Sequence, residues 1–162
     1  LFRVQCQAGT YVRKLIHDLG QLLGGGAHMA ELRRTHVGPF TEKDLVTLTD
    51  LKDACTLWKE EQNEKWLRTL IQPIERAVEH LPKVWVLDSA IESITHGRDV
   101  AIPGISQLNH FNVQQTIAVM TLQNELLAVG KAVMHTGNIR RNQKGIAVKV
   151  EKVFMDSPNK NF

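Results

Sequence analysis

In the stretch QAGTYVRKLIHDLG, residues 7 to 20, two side chains could do chemistry. Arg13, with Lys14 beside it, falls in the first turn of an amphipathic helical pattern, where the helix dipole disfavours a cation by about 0.3–1 kcal/mol. A carboxylate held against the guanidinium would more than offset that cost if the pair were partly buried. The alternative is a solvated surface arginine, because arginine suits a helix by propensity. Tyr11, close after Gly9, could stack on a flat ligand or pack into a core.

Two further clusters carry charge beside glycine. GGGAHMAELRRTHVGPF, residues 24 to 40, has neither the Lys-Ser/Thr of a P-loop nor the GxGxxG spacing, so a nucleotide-phosphate cradle is a weak reading. Arg33 and Arg34 could touch nucleic-acid phosphates or be a surface pair. In the second half, THGRDVAIPGI sets Gly97 and Gly104 around a short extended stretch, and NIRRNQKG puts Arg140, Arg141 and Lys144 in one turn-rich loop. Glycine permits close backbone approach and the basic loop supplies charge for phosphates. The seven histidines show no HxxxH or HExxH spacing, and no Ser-His-Asp or GxSxG arrangement occurs, so neither a metal site nor a serine hydrolase is expected.

The elements that must position these residues follow from periodicity. LFRVQCQ alternates as a strand does. Thr10 can cap a helix near 11–23, whose Val12, Leu15, Ile16, Leu19, Leu22 and Leu23 make one apolar, core-facing stripe. The triple glycine stops it, and an extended segment follows to a Gly-Pro turn. Thr41 with Asp44 forms a capping box, Asp50 caps a helical stretch over 51–71, and Pro73 opens a short helix. From Pro82 the pattern turns to short strands: KVWVL, then a helix SAIESITH capped by Asp88 or Ser89 and ended by Gly97, then DVAIPGI and three β-rich runs. A mixed α+β fold results, with a small β-barrel in its second half.

Composition agrees. The chain has 162 residues, 43% hydrophobic and 23% charged, the profile of a globular protein rather than a disordered one. No apolar run is long enough for a membrane span and no secretory leader is visible, so a cytoplasmic protein is expected. Cys6 and Cys55 form no CxxC pair, in keeping with a reducing compartment. Residues 1–81 carry 11 Lys/Arg against 11 Asp/Glu and residues 82–162 carry 9 against 6, which places the whole net charge of +3 in the second half. That asymmetry points to two units, the second with an anionic partner. The unpaired opening strand and the absence of an initial methionine suggest a piece of a longer protein.

CQAGTYVRKLIHDLG followed by GGGAHMAELRRTHVGPF closely resembles the C-terminal catalytic-domain motifs of the TruB and dyskerin family of RNA pseudouridine synthases. LVTLTDLKDA, IQPIERAVEHLPKVWVLDSAI and THGRDVAIPGI are similar to the archaeal dyskerin branch, the catalytic subunit of H/ACA guide-RNA particles, continuing into its PUA domain. The resemblance implies residues 1–81 as the end of a catalytic domain, 82–156 as an RNA-binding PUA barrel and 157–162 as a tail. It implies isomerisation of uridine to pseudouridine in rRNA or tRNA without a cofactor. The implied partners are guide RNA, substrate RNA and small protein subunits, in the cytoplasm or, in a eukaryotic host, the nucleolus.

By the same resemblance Arg13 pairs with the family's catalytic aspartate, Tyr11 lies at the target base and Leu32 packs in the pocket. Gly97, Arg98, Pro103 and Gly104 belong to the motif resembling the RNA-facing loop, while Arg33, Arg34, Arg140, Arg141 and Lys144 are RNA-binding candidates on basic character alone. The family's aspartate sits in a motif resembling Gly-Thr-Leu-Asp-Pro, and no such segment occurs in this sequence. The chain alone is therefore expected to be inert. A non-catalytic PUA-type RNA-binding adaptor is the alternative reading. A DNA-binding regulator using MAELRRTHVG is disfavoured by its Gly-Pro turn and the lack of a second helix at helix-turn-helix spacing.

Overall fold

The computed structural model describes residues 1–156; the expected tail, 157–162, lies outside the described residues. Two compact units divide the chain, Leu1–Thr35 and the part from His36 onward.

In the first unit, residues 1–7 form no strand. Alternation alone does not make one, because a strand needs an edge to satisfy its amides and carbonyls, and no described segment pairs with it. Gly9, at φ +85°, turns the chain into α1, Val12–Leu22. The cap position falls on Tyr11 without a side-chain cap bond, not on Thr10. The expected core stripe is largely open: Leu15 and Leu19 are 38% and 41% exposed, and Leu22 and Leu23 are 86% and 78% exposed. Gly20 is buried where residues 26–27 cross the helix, and a Cβ there would stand 2.1 Å from the Ala27 amide nitrogen.

The second unit opens with a hairpin, β1 His36–Val37 and β2 Phe40–Thr41, reversing at Gly38-Pro39 as the sequence predicts. Thr41 and Asp44 form the expected capping box on a single 3-10 turn, Glu42–Asp44. The next helix, α2, runs Leu48–Glu61 and begins earlier than expected, because Thr47 is its cap and Asp50 is the reciprocal third residue of that capping box. Instead of continuing to residue 71, the helix stops at Gln62 in a left-handed conformation. The Asn63 carboxamide then accepts from the Lys65 amide at 3.2 Å and starts α3, Lys65–Leu70. Asparagine competes for backbone donors in this way wherever a helix can be interrupted. After Pro73 the chain makes a 3-10 turn, Ile74–Val78.

The remainder is a sheet with two short helices: β3 Lys83–Val86, α4 Asp88–Thr95, β4 Val100–Ala101, β5 Ile105–Leu108, β6 Thr116–Met120, β7 Leu126–Ala132, α5 Thr136–Arg141 and β8 Ile146–Val153. The strand order is β4-β8-β7-β6-β3-β5, with β3 and β6 parallel and the other pairs antiparallel. The two edge strands, β4 and β5, are separated in sequence only by the 3-10 turn Ile102–Gly104. Such a short link can join opposite edges only if the sheet curls round, so the topology dictates a nearly closed barrel. Inside lie Val84, Val86, Ile94, Val100, Phe111, Ile117, Val119, Leu127 and Val148, each at most 1% exposed. Side chains of this size stabilise by roughly 1.5–3 kcal/mol each when fully buried.

Two helix boundaries differ from expectation. α4 is capped at Leu87 without a side-chain bond, and Asp88 sits in its first turn, where a carboxylate complements the dipole. Residues 138–141, expected as part of a loop over 138–145, belong instead to helix α5, capped by His135, whose Nδ1 accepts from the Gly137 amide at 3.0 Å. Histidine is not a favoured cap, and one apolar residue, Ile139, gives no periodic pattern to read.

Candidate nucleic-acid interface

The two glycine- and cation-bearing segments of the second half meet at one end of the barrel. α4 ends as a Schellman motif: the Gly97 amide donates to the Ile94 carbonyl at 2.8 Å and the Arg98 amide to the Ser93 carbonyl at 3.1 Å, with Gly97 at φ +83°. Glycine is required at that corner. Asp99 then accepts through Oδ1 from the Val150 amide at 2.9 Å, which fixes the loop to β8. β4 pairs with β8 at Val100↔Val148 and Ala101↔Ile146, and the Ile102 amide donates to the Gly145 carbonyl at 2.9 Å. Residues 100–101 therefore pair with the start of β8, and residues 102–104 lie alongside the turn that follows α5.

Pro103 and Lys144, next to the Ile102–Gly145 bond, and Arg140 and Arg141 on α5 are exposed, and Arg98 is exposed on the Val150 side of β4. None of the four cations forms an ion pair or a side-chain hydrogen bond among the described residues. Arg140 and Arg141 stand in the last turn of α5, where cations suit the dipole, rather than in a loop. Gly104 has a packing role: its carbonyl accepts from the Leu87 amide at 2.9 Å, and a Cβ on it would stand 3.0 Å from Ala90 Cβ on α4. Gly145 went unnoticed in the sequence. It holds φ +133°, and a Cβ there would meet Met134 Cε at 3.0 Å and Ile102 Cδ1 at 3.5 Å. That requirement comes from contacts distant in sequence, since an isolated Lys-Gly pair looks like any turn.

In the first unit, Tyr11, Arg13, Lys14 and His17 line an open depression on α1. Tyr11 is 81% exposed, and Arg13 has no ion pair or hydrogen-bonded side-chain partner among the described residues. Lys14 pairs with Asp18 one helical turn on. Leu32, 55% exposed, and the neighbouring Arg33 and Arg34 lie in the irregular stretch before the hairpin. The strongest electrostatic perturbations lie elsewhere. Bonds from the Thr41 amide and hydroxyl, then Arg76, hold Asp44 below the usual aspartate range, and Arg68 does the same for Glu64. No cluster of three metal-ligating side chains occurs among the described residues, and no helix there is long and apolar enough to cross a membrane.

Comparison with known proteins gives this arrangement a class. Residues 13–79 match the family described as tRNA pseudouridylate synthase B C-terminal domain, and residues 82–154 match the PUA domain. More particularly, the chain is 56% identical to the probable tRNA pseudouridine synthase B of Thermococcus kodakarensis, over 96% of this chain and 46% of the relative. It is 55% identical to the protein of the same name from Pyrococcus furiosus, again over 96% of this chain and 46% of the relative. Among solved structures it is similar to the archaeal box H/ACA sRNP Nop10-Cbf5 complex, with TM-score 0.88 and 53% identity over 94% of this chain and 50% of that one. It is likewise similar to an H/ACA RNP bound to a substrate RNA containing 2'-deoxyuridine, with TM-score 0.83 and 54% identity over 93% of this chain and 48% of that one. The chain spans about half the length of the curated relatives it matches.

Proposed function

We propose that the chain is the C-terminal part of an RNA-guided RNA pseudouridine synthase, whose barrel holds guide RNA at the end built from residues 97–104 and 140–145. The observation that carries this reading is the Ile102–Gly145 hydrogen bond, which sets the Pro103 turn against the turn that follows Arg140 and Arg141, within a domain that matches the PUA family. Four exposed cations without protein partners suit backbone phosphates, and the exposed Pro103 and glycine-bearing turns leave room for base edges to approach. Gly97 and Gly104 serve by shaping the loop. The likeness to the solved H/ACA particles supports guide RNA, substrate RNA and small protein subunits as partners.

For the chemistry, Tyr11 offers a flat wall for a flipped uracil, Leu32 an apolar one, and Arg13 a cation to keep a catalytic carboxylate ionised. Arg33 and Arg34 contribute to substrate-strand phosphates. The carboxylate is absent from this sequence as a Gly-Thr-Leu-Asp-Pro-like motif, so the 162-residue chain does not turn over by itself. The protein acts in the cytoplasm, or in the nucleolus of a eukaryotic host. The test is a guide-directed isomerisation assay comparing the complete synthase with this chain: turnover by the complete protein only is expected, and robust turnover by the chain alone refutes the assignment of roles.

A further inference from the structure

The 3-10 turn Ile74–Val78 grips a different neighbour with each of two successive side chains. Glu75 Oε1 accepts from the Leu126 amide at 2.9 Å, at the first residue of β7. Val78, 7% exposed, packs with Ala118, Met120 and Leu126 on the outer face of the barrel sheet, with Leu81 and Trp85 beside them. This apolar patch is separate from the barrel interior, and it fastens the turn to the strands.

Arg76 grips the hairpin instead. Its Nη2 pairs with Asp44 Oδ1, the two side chains being 32% and 15% exposed, and its guanidinium lies 5.7 Å from the centre of the Phe40 ring. Asp44 is itself fixed, since its Oδ2 accepts from the Thr41 amide at 2.7 Å and the Thr41 hydroxyl at 3.0 Å. An isolated exposed ion pair contributes little. This one is partly covered, charge-assisted at both ends and tied into a capping box, which is where such pairs gain strength. Segments joined by a linker move relative to one another by default. Here the linking turn is held on both sides.

We propose that Glu75 and Arg76 form a fixed joint that holds the barrel at one orientation to the hairpin His36–Thr41, and so act as positioning residues for guided isomerisation. The hairpin continues directly in sequence from the segment bearing Leu32, Arg33 and Arg34, and that covalent connection links the joint to the proposed substrate-binding segment. This functional half rests on the proposed function; the geometric half does not.

The geometric half is tested on the full chain with Cys6 and Cys55 replaced by serine and spin labels at Val37→Cys and Glu151→Cys, both positions being exposed. Pulsed electron resonance should read a single narrow distance in the labelled chain and in Arg76→Lys. That single distance should be lost in Arg76→Ala and in Glu75→Ala, with far-UV circular dichroism unchanged. A narrow distance surviving in both alanine variants overturns the joint; if one variant fails to fold, the other decides, and Arg76→Met, which keeps the aliphatic stem and removes the ion pair, decides if both do. The functional half is tested in the complete protein with guide and substrate RNA. Arg76→Ala should leave guide affinity unchanged and spread isomerisation to uridines neighbouring the guided one. Unaltered site choice despite a broadened distance refutes positioning. Absence of isomerisation in the unsubstituted protein, with the distance result intact, removes the proposed function and leaves the joint.

Discussion

Ile102 and Gly145 are bonded amide to carbonyl at 2.9 Å, although 43 residues separate them in sequence. This bond brings the turn containing Pro103 against the turn that follows Arg140 and Arg141. It favours glycine at 145, because other residues rarely adopt φ +133° and a Cβ there would come within 3.0 Å of Met134 Cε.

Gly145→Ala is therefore expected to destabilise the chain by about 1–3 kcal/mol, the cost of a side chain in a conformation that favours glycine. RNA affinity should fall with it. Thermal melting and a binding isotherm on the same sample check both. At Gly104, where φ is ordinary and the limit is a 3.0 Å approach to Ala90, a small shift of α4 can absorb a methyl group, so the effect should be smaller.

Replacing His135 with alanine removes the acceptor for the Gly137 amide and should cost about 0.5–2 kcal/mol, the usual loss at a helix cap. Because α5 carries Arg140 and Arg141, RNA affinity should drop as well. His135→Asn restores an accepting side chain, and recovery of both melting temperature and affinity in that variant is the expected check.

These residues mark how far the sequence was legible. Capping boxes, the Gly38-Pro39 reversal, the Gly97 helix end and the strand-rich second half depend on local chemistry, and local chemistry is written in neighbouring residues. α5 and Gly145 depend on partners far away in the chain, so no pattern announces them. The opening strand was over-read for the reverse reason: LFRVQCQ has the alternation of a strand but meets no pairing edge among the described residues. The motif around Tyr11 and Arg13 was visible as a cation at the wrong end of a helix, yet its meaning came from family likeness.

In the complete synthase, Arg13→Ala should abolish most turnover while leaving RNA binding unchanged, whereas Lys14→Ala, which removes the exposed pair with Asp18, should leave turnover near that of the parent protein. Single-turnover rates and guide-binding isotherms distinguish the two. Equal losses in both variants would mean that charge on α1 matters only for RNA attraction.

Asp44 provides a pH test of the Arg76 link. Its carboxyl is held below the usual range by the Thr41 bonds and Arg76, so its contribution is fully present above the unfolded-state value near 3.8 and is lost as pH falls through the lower folded value. A carboxyl titration by nuclear magnetic resonance should give Asp44 a midpoint below the ordinary aspartate value. Arg76→Ala should move it upward only in part, since the Thr41 bonds remain.

The most direct test of RNA binding at this end of the barrel is the salt dependence of affinity for a guide-type stem ending in an unpaired trinucleotide. The slope of log affinity against log salt should be clearly negative for the chain. It should flatten by about 2 in the triple variant Arg140→Ala, Arg141→Ala, Lys144→Ala, as expected for roughly three lost phosphate contacts. An identical slope in the triple variant, or an affinity indifferent to salt in the parent chain, would contradict the account.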